Sequence, residues 1–82
     1  MVLKLIPSNV EITEEVVQEY INGADAGLAL LAAGRSQFHT DQHWQESARA
    51  NVEYLKRFVE QEWMQGRDMA RFHDAIAQYG AI

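Results

Sequence analysis

The chain contains no cysteine among its 82 residues. This absence excludes disulfides, thiolate metal sites and thiol nucleophiles. Because a secreted domain of this size usually needs disulfides for stability, the sequence predicts a reducing compartment and a cytoplasmic protein. The single proline, Pro7, lies near the N-terminus, and no repeat or linker composition divides the chain. We therefore expect one domain over residues 1–82.

Basic residues and long apolar runs are also scarce. Seven Lys and Arg stand against twelve Asp and Glu, a net charge of −5, which opposes phosphate binding and predicts against a nucleic-acid partner. The longest apolar run, residues 28–33, is far shorter than the roughly 20 residues needed to cross a bilayer. Residues 1–6 are too short an apolar segment for a signal peptide. We expect no association with a membrane.

What is present predicts helices. Apolar residues make up 48% of the chain and charged residues 23%, which is enough to form a core. Thr13, followed by Glu14 and Glu15, predicts the start of a first helix. Its apolar residues recur at steps of three and four: Val16, Val17, Tyr20, Ala24, Leu28 and Leu31. Gly34 is predicted to end this helix.

Two glycines interrupt the first helical pattern. Asn22 and Gly23 could end the helix early, but we expect it to continue. Gly23 and Gly27 are four residues apart, and they either mark such a break or let another backbone approach closely.

The second helix has the clearest pattern. Thr40 or Asp41 can cap it, and it is predicted to run over residues 41–64, about 24 residues or roughly 36 Å. Its apolar stripe, flanked by Phe58, consists of Trp44, Ala48, Val52, Leu55, Val59 and Trp63. The chain is predicted to leave this helix at Gly66.

A shorter third helix completes the expected architecture. Asp68 can cap it, and its apolar residues are Met69, Phe72, Ile76 and Tyr79. Residues 1–6 favour an edge strand or an extended segment over a hydrophobic groove, ending at Pro7. The predicted fold is all-α, a long helical hairpin plus a short C-terminal helix, with an extended or β-leaning N-terminal segment.

The length of the second helix predicts a homodimer. A globule of this size has a radius of gyration of only about 12 Å, so the stripe from Trp44 to Trp63 would extend past its own core. A second copy packed antiparallel would cover it. Because aromatic residues dominate interfaces, Trp44, Phe58, Trp63 and Phe72 are the predicted partner-binding residues, the alternative being that all four are core.

Acidic residues are concentrated in the first helix. Up to Gly34 it carries four acids and no base: Glu14, Glu15, Glu19 and Asp25. Such a face either keeps a helix hydrated or binds a second protein with a basic surface. Glu15 and Glu19 are therefore added to the predicted partner-binding residues.

Histidine and nucleophile patterns give little support for catalysis. His39 and His43 are four residues apart, and His73 lies in the predicted third helix. A cap at Thr40 or Asp41 would leave His39 outside the second helix, so the spacing loses its meaning for a metal. Neither a nucleophile elbow nor a phosphate-binding loop is present. We expect no catalytic residue, no metal and no cofactor.

Five residues between the first two helices, downstream of a β-leaning N-terminus, resemble the turn of ribbon-helix-helix antitoxin repressors: Gly34, Arg35, Ser36, Gln37 and Phe38. The resemblance implies DNA reading by an N-terminal strand, which here would offer little beyond Lys4. The main hypothesis is a small non-enzymatic protein–protein interaction module, acting as an adaptor, accessory or inhibitor protein. The alternatives are an antitoxin-like or other DNA-binding transcriptional regulator and, below it, a histidine-based metal-binding protein.

Overall fold

Residues 5–81 are described by a computed structural model. It contains three α-helices and a short 3₁₀ turn: α1 (Glu14–Phe38), α2 (Gln42–Glu60), the turn (Glu62–Met64) and α3 (Ala70–Gly80). This part of the chain has no strand, which confirms the all-α prediction. Leu5 and Ile6 pack on the core without forming a strand. The rest of the predicted strand, residues 1–4, lies outside the described residues.

Helix α1 starts where the sequence predicts. The Thr13 hydroxyl accepts a hydrogen bond from the Val16 amide at 3.3 Å, which satisfies one of the free N–H groups of the first turn. The helix continues through Gly23, which confirms the prediction of an unbroken helix.

The predicted end of α1 at Gly34 is wrong, because the helix runs on to Phe38. Gly34 does not adopt a left-handed conformation; among the described residues, Gly66 is the one glycine with positive φ. A Cβ at Gly34 would lie 2.7 Å from Trp44 Cδ1. The glycine therefore makes room for an indole ring and does not end the helix.

Helix α2 also starts as predicted but ends early. The Asp41 carboxylate accepts a hydrogen bond from the Trp44 amide at 3.0 Å, so Asp41 is the N-cap. The prediction of a helix to residue 64 is wrong, because Gln61 is extended, with ψ 137°. The chain then forms the 3₁₀ turn, which lets Met64 enter the core.

The connection to α3 contains both predicted residues, Gly66 and Asp68, but α2 has already ended at Glu60. Gly66 has φ 82°, a conformation that favours glycine, and it lies after the 3₁₀ turn. Asp68 accepts a hydrogen bond from the Ala70 amide at 3.0 Å, but the N-cap residue of α3 is Met69, one residue later than predicted. Helix α3 packs mainly against α2.

The core lies between the three helices. Its largest fully buried side chains are Phe58, Phe72, Leu55, Met64 and Val17. The apolar stripe of α2 is buried within the chain itself from Ala48 to Val59. The expectation that this stripe extends past the core and needs a second chain is therefore wrong over its middle. The molecule measures 40 × 20 × 17 Å, and α1 alone, at about 1.5 Å per residue, spans most of the longest dimension.

Candidate protein-binding surface

Two of the predicted partner-binding aromatic residues belong to the core. Phe58 and Phe72 are both 0% exposed. Their ring centroids are 5.2 Å apart in an edge-to-face arrangement. Because neither ring reaches solvent, a partner cannot contact them without unfolding the chain, and we remove both from the candidate surface.

The two tryptophans are half-buried, each against its own chain. Trp44 lies against Gly34 and meets the Tyr79 ring edge-on, with centroids 6.2 Å apart. Trp63 meets Phe58 in the same way at 5.3 Å. The indole N–H of Trp63 is buried and has no acceptor within residues 5–81. Part of each indole stays accessible, so their role in partner binding stays a prediction.

The sequence analysis missed two exposed apolar residues on α1. Leu30 is 59% exposed and Phe38 is 51% exposed. Leu30 lies on the same side of the helix as Ala26 and Ala33, whereas the predicted stripe lies on the side of Leu31. At about 100° per residue, Leu30 points away from the mean direction of the buried residues of α1, so it lies on the side that faces away from the core.

This side of α1 forms a continuous exposed stripe at helical spacing, which we call the outer face: Glu15, Glu19, Gly23, Ala26, Leu30, Ala33 and Gln37. Its first two turns are acidic, and its second half is small or apolar around Leu30. A Cβ at Gly23 would meet nothing within 4 Å, so the middle of the face is open. The exposed apolar second half of the face is a candidate for contact with a further element.

Ion pairs divide the four acids of the first helix into two groups. Arg67 donates to Glu14 at 2.5 Å, and Arg71 donates to both carboxylate oxygens of Asp25, at 2.5 and 3.2 Å. The hydrogen bond with Asp25 raises the pKa of Arg71 above its ordinary value. These pairs join the start of α3 and the segment before it to α1.

Glu15 and Glu19, by contrast, are exposed and form no ion pair within residues 5–81. The predicted acidic face is therefore two surfaces: a paired flank facing α3 and an unpaired acidic end of the outer face. Both partner-binding acids of the sequence analysis are in the second group.

The histidines do not gather in the described part of the chain. His39 is the C-cap of α1, His43 lies in the first turn of α2 and His73 lies in α3. No group of three or more His, Asp or Glu residues within the described chain is placed to hold a metal ion. The four-residue spacing of His39 and His43 spans two helices, as the predicted cap at Asp41 implied.

The fold gives little support to the DNA-binding alternative. Residues 34–38, which resemble a ribbon-helix-helix turn, lie inside α1. Of the bases, Arg67 and Arg71 are paired with acids, and Lys56 pairs with Glu53 at 3.2 Å. Pairing with carboxylates reduces the positive potential that a phosphate backbone would meet.

An open groove of about 450 Å³ lies between α2 and α3. Val59, Met69 and Ile76 form its apolar part. Lys56, Glu60, Gln65 and His73 form the remaining lining. Gln65 donates to the Val59 carbonyl at 3.2 Å, so its side-chain amide already joins the end of the 3₁₀ turn to α2.

Comparison with known proteins adds no relative. No protein-family model matches the chain, and no curated protein and no solved structure is significantly similar to it. In addition, none of the helices in the described part has the length and apolar character required to span a bilayer.

Proposed function

We propose that the protein is a small, non-enzymatic helical interaction module that binds another protein through the outer face of α1. Acting as an adaptor, accessory or inhibitor, it would work by occupying a partner's surface. The observation that carries the proposal is the exposure of Leu30, 59%, in the middle of a helix whose opposite side is already packed.

Burial of this face is energetically favourable and leaves the core intact. Because Leu30 is 59% exposed, covering it contributes about 1–2 kcal/mol, and the neighbouring Ala26 and Ala33 let another helix come close. None of these three side chains belongs to the core. The fold therefore does not need this face to be covered, while a partner would gain from covering it.

The homodimer stays a prediction, but its original basis is gone. The stripe of α2 that motivated it is buried within the chain. A second copy would now have to bind the outer face of α1 or the accessible edges of Trp44 and Trp63.

Site-specific photo-crosslinking in the native host tests the proposal. A photoreactive phenylalanine analogue replaces Leu30, and the matched control replaces Gln78, an exposed residue of α3. We expect a discrete crosslinked protein from position 30 and none from position 78. A folded position-30 variant that gives no crosslinked product would contradict the proposal.

A further inference from the structure

We propose that the outer face of α1 binds a basic amphipathic helix of a different protein, and not a second copy of this chain. The inference rests on the proposed function and adds the chemistry of the partner. The partner helix would place two Lys or Arg residues against Glu15 and Glu19, and an apolar stripe against Ala26, Leu30 and Ala33.

Charge complementarity determines this choice. Glu15 and Glu19 are one helical turn apart and point to the same side. The neighbouring Glu14 and Asp25 are occupied by Arg67 and Arg71, so within residues 5–81 the chain neutralises its flank and leaves this end of the outer face negative. Complementary charge on a partner would guide its approach and fix its register.

A second copy cannot supply that charge. The outer face has no basic residue. Arg35, the one basic residue of α1, lies toward the core side, with its guanidinium 5.9 Å from the centroid of the Tyr79 ring. Two copies joined in parallel by this face would bring together two carboxylates from each chain, and two joined antiparallel would set Glu15 and Glu19 against Ala33 and Gln37, so neither arrangement supplies a cation from this face.

The spacing of the face gives the pattern expected of the partner. Glu19 and Leu30 are eleven residues apart, about 16 Å along the axis at 1.5 Å per residue. An antiparallel helix is favoured because the two helix dipoles then oppose each other, and because basic residues are stabilising near a helix C-terminus. The expected partner therefore has an apolar stripe about three turns before a Lys or Arg pair.

The test uses a synthetic helical peptide with this pattern and the full chain. A second peptide, with Glu in place of its two Lys residues, controls for apolar contact alone. Three protein variants are compared with the original: Glu15→Gln with Glu19→Gln, Leu30→Asp, and a control with Glu46→Gln and Glu60→Gln. The control removes the same charge from exposed positions of α2. Circular dichroism checks that each variant is folded.

The proposal predicts binding of the basic peptide and not of the acidic one. Removing the two outer-face acids should weaken binding about fivefold, as expected for the loss of two exposed ion pairs. Leu30→Asp should weaken it by at least about tenfold, because an apolar contact is replaced by a charge. The α2 control should bind within about twofold of the original, since distant surface charges are screened by salt.

Three results would overturn the proposal. They are failure of the basic peptide to bind, equal weakening by the α2 control, and a dimeric mass in light scattering that Leu30→Asp reduces to the monomer of 9.4 kDa. The last result would assign the outer face to a second copy. A crosslink from position 30 to a partner segment without basic residues would also reject the proposed chemistry and leave the interaction module standing.

Discussion

Replacing Gly34 by alanine should destabilise the protein relative to the same replacement at Gly23. Both glycines lie inside α1, so each change gains about 1 kcal/mol of helix propensity. At Gly23 the new methyl meets nothing within 4 Å, and the full gain should appear. At Gly34 it would overlap Trp44 Nε1 and lie 2.7 Å from Cδ1 and 3.2 Å from Cε2, so the indole must move. Overpacking of this kind costs about 1–3 kcal/mol.

The difference between the two variants is the informative quantity, because the propensity gain cancels. We expect Gly34→Ala to be about 1–3 kcal/mol less stable than Gly23→Ala. In a chain of this size each kcal/mol corresponds to about 4–8 °C in Tm. Urea and thermal unfolding followed by circular dichroism measure both quantities.

Trp44 provides an internal control for this prediction. If the indole causes the cost, Trp44→Phe should reduce the difference between alanine and glycine at position 34, and the double-mutant cycle should show a coupling of about 1 kcal/mol or more. Equal stability of Gly34→Ala and Gly23→Ala would refute the packing role of Gly34.

Two further predictions concern the core and its edge. Asn51 is buried, donates to the Ser47 carbonyl at 2.9 Å and leaves its side-chain oxygen without a partner among the described residues. Because an unsatisfied buried acceptor costs about 1–3 kcal/mol, Asn51→Leu should raise the free energy of unfolding and Asn51→Asp should lower it, in urea titrations at neutral pH. A loss of stability in Asn51→Leu, or a gain in Asn51→Asp, would contradict this. Phe72→Ala should cost about 3–5 kcal/mol, whereas Phe38→Ala, at a half-exposed ring, should change stability by about 0.5 kcal/mol or less; similar losses at both sites would show that α1 is covered at its C-terminal end.

The caps were predictable from the sequence because they depend on local chemistry. Thr13 and Asp41 each accept a hydrogen bond from the amide three residues ahead, which is the interaction that their side chains favour in any helix. The all-α class was also predictable, because apolar periodicity is likewise a local property of the sequence. Gly66 does adopt the positive φ expected of a chain-reversing glycine, but it follows the 3₁₀ turn and does not end α2 as predicted.

Features that depend on tertiary contacts were not predictable in the same way. A glycine in a sequence is consistent with either a left-handed turn or a close approach, and at Gly34 the position of Trp44 decides between them. The end of α2 at Glu60 has no breaker residue, and the turn that follows brings Met64 into the core.

The candidate surface was predicted only in its acidic half. Glu15 and Glu19 could be identified from charge alone, but their separation from Glu14 and Asp25 required knowing where Arg67 and Arg71 lie. The aromatic residues were ambiguous between core and surface, and burial places Phe58 and Phe72 in the core. Leu30 was passed over because a neighbouring leucine, Leu31, fitted the stripe.

The separation of the two sides of α1 has a consequence for substitutions. Residues such as Leu30 and Glu19 are exposed and do not belong to the core, so substitutions there escape the constraint that maintains the fold. Surface changes of this kind usually alter stability by no more than about 0.5 kcal/mol. Substitutions along one stripe of α1 can therefore change the surface that the helix presents, while Val17, Ile21 and Leu31 on the opposite stripe are held by the core.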